Sequence, residues 1–483
     1  MAGSFTHPVT AQIPPDRRKY YSMVKRLLGI KIGLRSSLLS AAAGLSLCAQ
    51  PPAQAQDSVP LAPNPSTAPQ APEHQSRKAK DRPLPGRLPD KPSLLPTYSI
   101  PVGSLGFSAP GPLYLGARNS LASLDFLDEN RLLFTFRVPG LMHREAEESG
   151  ESDERQIRAV VLTLPEGKVE AEALWTVHDR VRYLWTLKDG HFLLRDRDGL
   201  AQGDATLVLK PLLQFPGPLL WLELDPTGQY LVTNSREPAA VVAKPGEVDS
   251  PPTASASMLV DRQKPDGETD LVVRILRRES GKVMLVSRTR STVHLPINAD
   301  GYLESLRGNG QLWLLNLNYF SGGSKIVGRV DSTCSPAFDF VSQQEVLVTA
   351  CAAGGGRKLV AMATDGRRLW EDSTSPLAVW PLLVRSPDGS RLAQETLAVD
   401  HPVNAYSPID WQDVKGQLVR VFDAADGKVA LEAPANPALD AGGNVAISPS
   451  GRRVAVLNAG AIQVFDLPPP ALAGDRTGTQ TRH

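Results

Sequence analysis

Short runs of apolar residues, separated by polar turns, recur along most of this chain of 483 residues. The runs at 131–136, 159–164, 271–276 and 311–316 are typical, because Val, Leu, Ile, Phe and Trp there stand close to alternation with other side chains. Runs of this length are too short for ordinary helices, and their residues favour extended backbone. The pattern predicts an all-β fold that begins near residue 98.

Glycine and proline punctuate these runs, since the chain contains 39 Gly and 42 Pro. Asp-Gly pairs supply the positive φ angles that tight hairpin turns require. They stand at 189–190, 198–199, 266–267, 300–301, 365–366, 388–389 and 426–427. No long amphipathic helical pattern interrupts the series, so a succession of hairpins is the expected topology.

A turn motif and a strand motif both repeat. The turn reads Asp-Pro-Thr-Gly at 225–228, Ser-Pro-Asp-Gly at 386–389 and Ser-Pro-Ser-Gly at 448–451. The strand ends in Phe-Asp, first at Phe422-Asp423 and again at Phe465-Asp466. These residues resemble WD40-type blades, whose third strand ends in an aromatic-Asp pair, although Phe replaces the usual Trp and the Gly-His signature is missing. The resemblance implies a β-propeller.

Strand groups counted on that template predict about seven four-stranded blades. The groups begin near residues 119, 177, 217, 292, 334, 376 and 438. The last group has only three strands before the prolines at 468–470. Because a ring has to close, we expect the missing strand to come from the stretch 98–115. The polar stretches 236–269 and 394–416 are expected to be loops.

A second resemblance lies at 361–370, where a Gly turn is followed by Trp370. Quinoprotein-like propellers place such a Trp between neighbouring blades, and the dehydrogenases that hold pyrroloquinoline quinone repeat the motif around the ring. A single copy predicts a structural Trp and no cofactor. As a whole the chain is similar to exported bacterial WD40-like and quinoprotein-like β-propeller proteins, which implies a fold and an export route but no activity.

The amino-terminal residues are typical of an export signal. Basic residues between Lys25 and Arg35 precede an apolar stretch at 38–47, which is too short to span a bilayer as a helix. The Ala-Gln-Ala sequence that follows predicts cleavage between Ala55 and Gln56. An uncleaved membrane anchor is the alternative.

Lipidation is a further alternative within the same segment. Leu45-Ser46-Leu47-Cys48 resembles a bacterial lipobox, in which the Cys is lipidated after cleavage. A small residue normally precedes that Cys, and Leu47 departs from this rule.

The composition divides the chain into four segments. Residues 1–55 are interpreted as an upstream extension and signal peptide, and residues 98–467 as the propeller. Between them, residues 56–97 form a Pro-rich linker that we expect to be disordered, because it has too few apolar residues to offset the entropy of ordering. Residues 468–483 are expected to form a disordered tail.

Cys334 and Cys351 are the only cysteines that follow the signal segment. Two thiols in an exported chain predict one disulfide. Folding the apolar runs 338–341 and 346–350 as a hairpin brings the two cysteines opposite each other. The bridge would stabilise the fold by about 3 kcal/mol on the chain-entropy model, and two unpaired buried thiols are the alternative.

A search for motifs of known catalytic chemistry finds no Gly-x-Ser-x-Gly elbow, P-loop, His-Glu-x-x-His or Cys-x-x-Cys. The histidines are scattered without metal-ligand spacing. His178-Asp179 and Asp400-His401 are adjacent pairs, but neighbours in a strand point to opposite faces. The acidic run at 145–154 lacks the order of a calcium loop. The sequence predicts no catalytic residue, no cofactor and no metal site.

The charge is balanced, with 52 basic and 51 acidic residues, so nothing indicates the basic face of a nucleic-acid binder. The favoured hypothesis is an exported, monomeric propeller in the periplasm or outside the cell, with no transmembrane span after signal removal. It would act as a binding or scaffold module for a protein or envelope ligand. The alternatives are a propeller-fold hydrolase or lyase, with carboxylates and a His meeting at the channel mouth, and an envelope assembly factor.

Overall fold

The computed structural model describes residues 88–109, 122–138, 155–178, 182–238, 269–289, 292–353, 355–402, 409, 411–439 and 442–470. These residues form 27 strands and two short 3-10 helices, Gly103–Leu105 and Trp411–Asp413. All strand pairs are antiparallel, and apart from the pairing of the first strand with the last they join consecutive strands. The predicted all-β fold is confirmed. No helix in this part of the chain is long and apolar enough to cross a bilayer.

The strands form seven sheets that follow one another along the chain, numbered here as blades 1 to 7. Blade 1 contains β2 (Ala122–Phe126), β3 (Arg131–Arg137), β4 (Arg155–Thr163) and β5 (Lys168–Val177). Blade 2 contains β6 (Leu184–Thr186), β7 (Phe192–Asp196), β8 (Gly199–Gly203) and β9 (Lys210–Gln214). Blade 3 contains β10 (Leu219–Leu224), β11 (Tyr230–Pro238), β12 (Thr269–Arg277) and β13 (Val283–Thr289).

The remaining blades continue the same order. Blade 4 contains β14 (Gly301–Arg307), β15 (Leu312–Tyr319) and β16 (Ser324–Asp331). Blade 5 contains β17 (Ala337–Phe340), β18 (Glu345–Cys351), β19 (Arg357–Ala363) and β20 (Arg368–Thr374). Blade 6 contains β21 (Ala378–Arg385), β22 (Arg391–Val399), β23 (Val414–Asp423) and β24 (Val429–Ala435). Blade 7 contains β25 (Val445–Ile447), β26 (Arg453–Asn458), β27 (Ala461–Asp466) and, from the amino-terminal side, β1 (Tyr98–Pro101).

Blade 4 has three full strands because its innermost strand is reduced to one bridge, between Ile297 and Tyr302. Pro296 has no N–H to give to a strand ladder, although its carbonyl still accepts the N–H of Leu303 at 2.9 Å. The segment 293–297 thus takes the place of the inner strand. With the segment 293–297 counted as the inner strand of blade 4, the predicted ring of seven four-stranded blades is confirmed.

The ring closes through blade 7, where β1 supplies the outer strand. Its four residues pair with β27 from Tyr98 opposite Val464 to Pro101 opposite Ala461. Ile100 on β1 is 5% exposed and lies between blade 7 and blade 1. The expectation that the stretch 98–115 supplies the missing strand is confirmed.

The residues just before β1 also contact the ring. The Ser93 N–H donates to the carbonyl of Glu432 on β24 at 2.8 Å, and its hydroxyl oxygen accepts the Glu432 N–H at 2.9 Å. Thr97 N–H donates to the Val464 carbonyl at 2.8 Å. The chain therefore follows the outer edge of blade 6 before it joins blade 7.

The core lies between the blades. The described residues contain seven clusters of buried apolar side chains, and each cluster joins two consecutive blades, including blades 7 and 1. Trp370 on β20 illustrates the packing: its ring stacks on Phe422 of blade 6, and its indole N–H donates to the Ala424 carbonyl at 2.7 Å. This is the inter-blade position that the quinoprotein-like motif predicts.

The expected loop at 394–416 is wrong at both of its ends. β22 continues to Val399, and β23 begins at Val414. The polar residues Gln394, Glu395 and Thr396 indicated a loop, yet they are 1%, 1% and 3% exposed. They are polar side chains inside a buried strand. The expected loop at 236–269 lies outside the described residues except at its ends, where β11 reaches Pro238 and β12 begins at Thr269.

Candidate functional site

The structure contains the predicted disulfide. Cys334 and Cys351 are joined, with a Cα–Cα distance of 5.6 Å. Cys351 ends β18 and Cys334 stands just before β17, so the bridge fastens the two inner strands of blade 5 at the end where β17 begins. The predicted cleavage residues Ala55 and Gln56, like Cys48 and the acidic run 145–154, lie outside the described residues.

His178 and His401, from the two His-Asp pairs of the sequence, contact different carboxylates. The His178 ring lies 3.0 Å from the Asp196 carboxylate on β7, and Asp179 is outside the described residues. His401 contacts its neighbour Asp400 at 2.7 Å. Asp413 joins that pair, with the three potential ligand atoms within 4.8 Å of one another. Asp400 and His401 are exposed and Asp413 is half-buried. The Lys415 ammonium already lies 2.7 Å from Asp400.

A different set of charged side chains lines the axis of the ring. Asp125, Glu223 and Asp339 are each the second-last residue of an inner strand, in blades 1, 3 and 5. Their pairing partners, Leu133, Val232 and Leu347, occupy equivalent positions in the second strands. Their apolar neighbours on the inner strands pack into the clusters between blades. The three carboxyl groups thus stand at one level of the channel.

His294 connects three blades at the same level. It precedes the inner bridge of blade 4, forms an ion pair through Nδ1 with Glu223 of blade 3, and donates from Nε2 to the Phe338 carbonyl of blade 5 at 2.7 Å. The Trp221 indole N–H donates to the same Glu223 carboxylate at 2.5 Å. Burial alone would lower the pKa of His294, but the Glu223 carboxylate and then Asp339 raise it to about 10. The protonated imidazolium form of His294 is therefore favoured at neutral pH.

Arg385 crosses the channel below these groups. It ends β21 of blade 6, and its guanidinium donates to the Leu224 carbonyl of blade 3 at 3.0 Å and to the Phe340 carbonyl of blade 5. Blades 3 and 6 are not neighbours, so only a side chain on the axis can join them. Below it, the Gln343 amide of blade 5 donates to Asp225 of blade 3 at 3.2 Å. We call this bridged level the floor of the channel.

The other end of the channel is accessible to solvent. Ala337 at the start of β17 is exposed, Trp221 is 41% exposed, and the His294 side chain is 38% exposed. Arg182, two residues before β6, is also exposed. Partial removal from water lowers its pKa, and Asp125 of blade 1 and Glu395 of blade 6 oppose this shift electrostatically. These residues define the cup: the part of the channel that begins at the floor and opens where the inner strands start.

Burial shifts the acids of the cup towards their neutral forms. Removal from water raises the pKa of Asp125 to about 6, against the opposing effects of Arg182 and the Ser123 hydroxyl. The same cause raises the pKa of Asp339 to about 6, although His294 opposes it. Glu395, 1% exposed, is raised to about 7 by burial, although the N–H groups of Asn444 and Gly443 donate to it.

Charged side chains of six blades therefore converge on one solvent-accessible cup, whose floor is bridged by Arg385 and Gln343. Sequence reasoning missed all of them except His294, which it treated as one of the scattered histidines. A signal was present: an acid between two apolar residues just before a turn occurs as Leu-Asp-Phe at 124–126, Leu-Glu-Leu at 222–224 and Phe-Asp-Phe at 338–340. The basic members have no such repeat.

No family model matches the chain, and no curated protein matches it in sequence. Solved propellers match in shape. An acylaminoacyl peptidase of Pyrococcus horikoshii aligns with a TM-score of 0.40 and 11% identity over 71% of this chain and 49% of its own. The β-propeller domain of the Trilobed protease from Pyrococcus furiosus gives 0.38 and 11%, over 72% of this chain and 96% of that domain.

TolB from Acinetobacter baumannii gives a TM-score of 0.32 and 13% identity, over 65% of this chain and 74% of its own. The chain spans about half the length of the acylaminoacyl peptidase that it matches. At these identities the likeness concerns the fold alone.

Proposed function

We propose that this chain is an exported binding module of the cell envelope, and that its ligand, or a segment of a partner protein, binds in the cup. The observation that supports this proposal is the convergence of Asp125, Arg182, Glu223, His294 and Arg385 from five different blades on one accessible cavity. Charged groups brought together in a cleft, with shifted pKa values, are characteristic of functional sites.

The environment of His294 favours binding over catalysis. Both of its ring nitrogens face acceptors, the Glu223 carboxylate and the Phe338 carbonyl, so both carry protons that are already engaged. A general base works best with a pKa near the operating pH, and that of His294 is raised to about 10. The imidazolium of His294, which belongs to blade 4, links blades 3 and 5 through its ion pair with Glu223 and its hydrogen bond to Phe338.

One observation favours the hydrolase or lyase alternative. The raised pKa of Asp339, about 6, would suit a general acid or base near neutral pH. We keep this alternative as second, because His294 and Glu223, the charged groups near Asp339 in the cup, are already paired with each other. The experiment below also separates the two functions.

Export and an envelope location are part of the proposal. The predicted signal segment, with cleavage between Ala55 and Gln56, supports export. The Cys334–Cys351 disulfide supports it as well, because disulfides persist in oxidising compartments and are rare in the cytosol. A role in envelope assembly is one form that a binding function in this location can take.

The proposal is tested by filling the cup. Ala337→Trp places a large side chain at the accessible end of the channel, whereas Val286→Trp places one on the outer strand of blade 3, where Val286 is 47% exposed. The wild-type protein and both variants are used to capture proteins and small molecules from envelope extract, which are identified by mass spectrometry. We expect at least one species to be retained by the wild type and by Val286→Trp but lost with Ala337→Trp.

Equal capture by all three proteins, loss only with Val286→Trp, or no specific capture by the wild type would contradict a ligand site in the cup. Chemical conversion of a captured species by the wild type, abolished in Asp339→Asn, would favour the enzymatic alternative.

A further inference from the structure

We propose that the cup recognises a carboxylate group, held by the guanidinium of Arg182, on a ligand whose apolar part lies against Trp221. This inference rests on the proposed function and names the ligand class of the same site. Some polar groups of the cup already bind other protein groups, and others remain available to a ligand. The inference follows from this difference.

Most charged groups of the cup are occupied. His294 and Glu223 are paired with each other, and Arg385 donates to two backbone carbonyls in the floor. Glu395 is 1% exposed, and Asp125 is 8% exposed with its carboxylate bonded to Ser123. These groups already have partners within the protein, although 38% of the His294 side chain remains exposed.

Arg182 is different because its terminal nitrogens remain available. Within the described part of the chain its one hydrogen bond is from Nε to the Leu184 carbonyl, at 3.0 Å. Its guanidinium lies over the buried Trp185 ring, 5.3 Å from the ring centroid. This contact orients the plane of the guanidinium group. Removal from water lowers the pKa of Arg182, and the charges of Asp125 and Glu395 oppose that shift, although neither carboxyl group forms an ion pair with it. An exposed, oriented guanidinium with free N–H groups is suited to bind two oxygens of one anion.

The exposed side chains of Arg182 and Trp221 favour a carboxylate that carries an apolar group. A guanidinium matches the two coplanar oxygens of a carboxylate in a bidentate arrangement. Trp221 belongs to blade 3, next to the blade of Arg182, and 41% of it is exposed at the accessible end of the channel. An exposed indole presents apolar surface, and its N–H is already bound to Glu223. The pair therefore combines one anion-binding group with one apolar platform.

The groups that face Arg182 should make this binding depend on pH. They are Asp125 on β2, Glu395 on β22 and Arg385 on β21. Arg195 on β7 lies over the same Trp185 ring as Arg182, 5.8 Å from its centroid. The two carboxyl groups compete with a bound carboxylate when they are ionised. As they gain protons between about pH 8 and about pH 5.5, affinity for an anion should increase.

The test uses 3-phenylpropanoate as the probe and 3-phenylpropanamide as its uncharged match, titrated into the purified protein and followed by saturation-transfer NMR. We expect the acid to bind with a Kd of about 1 mM or below, and the amide to bind at least about tenfold more weakly. Arg182→Gln should weaken binding of the acid by at least about tenfold, and Arg182→Lys by less, since Lys keeps the charge but loses the fork.

Arg329→Gln is the matched control, because Arg329 is an exposed arginine on the outer strand of blade 4, and it should bind the acid like the wild type. A melting curve for each variant checks that it is folded. Equal binding of acid and amide, unchanged binding by a folded Arg182→Gln, or no binding of the acid would overturn the proposal. Tighter binding of phenylphosphonate than of the acid would overturn the assignment to a carboxylate. The outcome of the capture experiment with Ala337→Trp does not depend on any of these results. The proposed function can therefore be confirmed or rejected independently of the ligand class.

Discussion

Glu395 shows at the scale of one residue how the ring holds charge. Its Oε1 accepts the Asn444 N–H at 3.2 Å, while its Oε2 is buried and has no hydrogen-bond partner among the described residues. An ionised carboxylate with an unpaired buried oxygen is costly. Burial accordingly raises the pKa of Glu395 from 4.5 to about 7. The folded state binds this proton more tightly than the unfolded chain does.

Stability should therefore fall as the pH rises through this range. A group whose pKa is raised by folding stabilises the fold fully below its unfolded pKa, and that contribution is lost as the pH passes the folded pKa. For Glu395 the loss extends from pH 4.5 to about pH 7, and at about 1.4 kcal/mol per pKa unit it is on the order of 3 kcal/mol. Asp125 and Asp339, each raised to about 6, act in the same direction.

Glu395→Gln should remove its share of that pH dependence. Urea unfolding at a series of pH values should give a flatter stability profile for the variant, with a higher free energy of unfolding than the wild type at about pH 8. Glu279→Gln, at an exposed position in the turn between β12 and β13, is the control and should leave the profile unchanged. Parallel profiles for wild type and Glu395→Gln would show that this carboxyl group does not control the pH dependence.

The sequence predicts such residues only in part. The acids Asp125, Glu223 and Asp339 occupy a repeated position before a turn, which a blade-by-blade alignment could recover. Arg182 and Arg385 could not be recognised, because their role depends on which blades face each other across the axis. That information is held in the closed ring and is absent from any local stretch of sequence.

At the scale of the element, β1 decides whether the ring closes. Ile100 lies against Gly167 in the β4–β5 turn of blade 1, where a Cβ would come within 2.7 Å of the Ile100 side chain. Gly167 also has a φ of +67°. Glycine is therefore favoured there by its backbone conformation and by the lack of space for a Cβ. β1 thus contributes backbone pairing to blade 7 and an apolar side chain to the junction with blade 1.

Ile100→Ala should be costly for this reason. We expect a loss of about 2–4 kcal/mol in the free energy of unfolding, the usual cost of truncating a buried aliphatic side chain. Ser99→Ala, at the exposed neighbouring position of β1, should change it by less than about 0.5 kcal/mol. Urea unfolding of both variants measures the difference. Equal stability of the two variants would mean that β1 does not contribute to closure.

Most elements could be predicted because each blade carries its own strand and turn signals. The blade starts expected near 119, 217, 334 and 376 lie within a few residues of β2, β10, β17 and β21. Blade 4 was harder, because its inner strand is reduced to the Ile297–Tyr302 bridge. The error at 394–416 has a related cause, since polarity indicates exposure only where no neighbouring blade covers the strand.

At the scale of the whole molecule, the seven inter-blade clusters of the described residues form a continuous ring of packing around the axis. The floor at Arg385 ties blades 3, 5 and 6 together, and His294 ties blades 3, 4 and 5. A site built this way is preorganised, so a ligand is held without ordering a loop first. This is the physical reason to assign the function to the cup.

A crystal structure of the protein with 3-(4-bromophenyl)propanoate tests this account most directly, because anomalous scattering locates the bromine independently of the protein atoms. We expect a ring closed by β1 and β27, one bromine position inside the cup beside Trp221, and the carboxylate within hydrogen-bond distance of the Arg182 terminal nitrogens. Bromine bound only on the outer strands, an empty cup, or a ring open between blades 7 and 1 would contradict it.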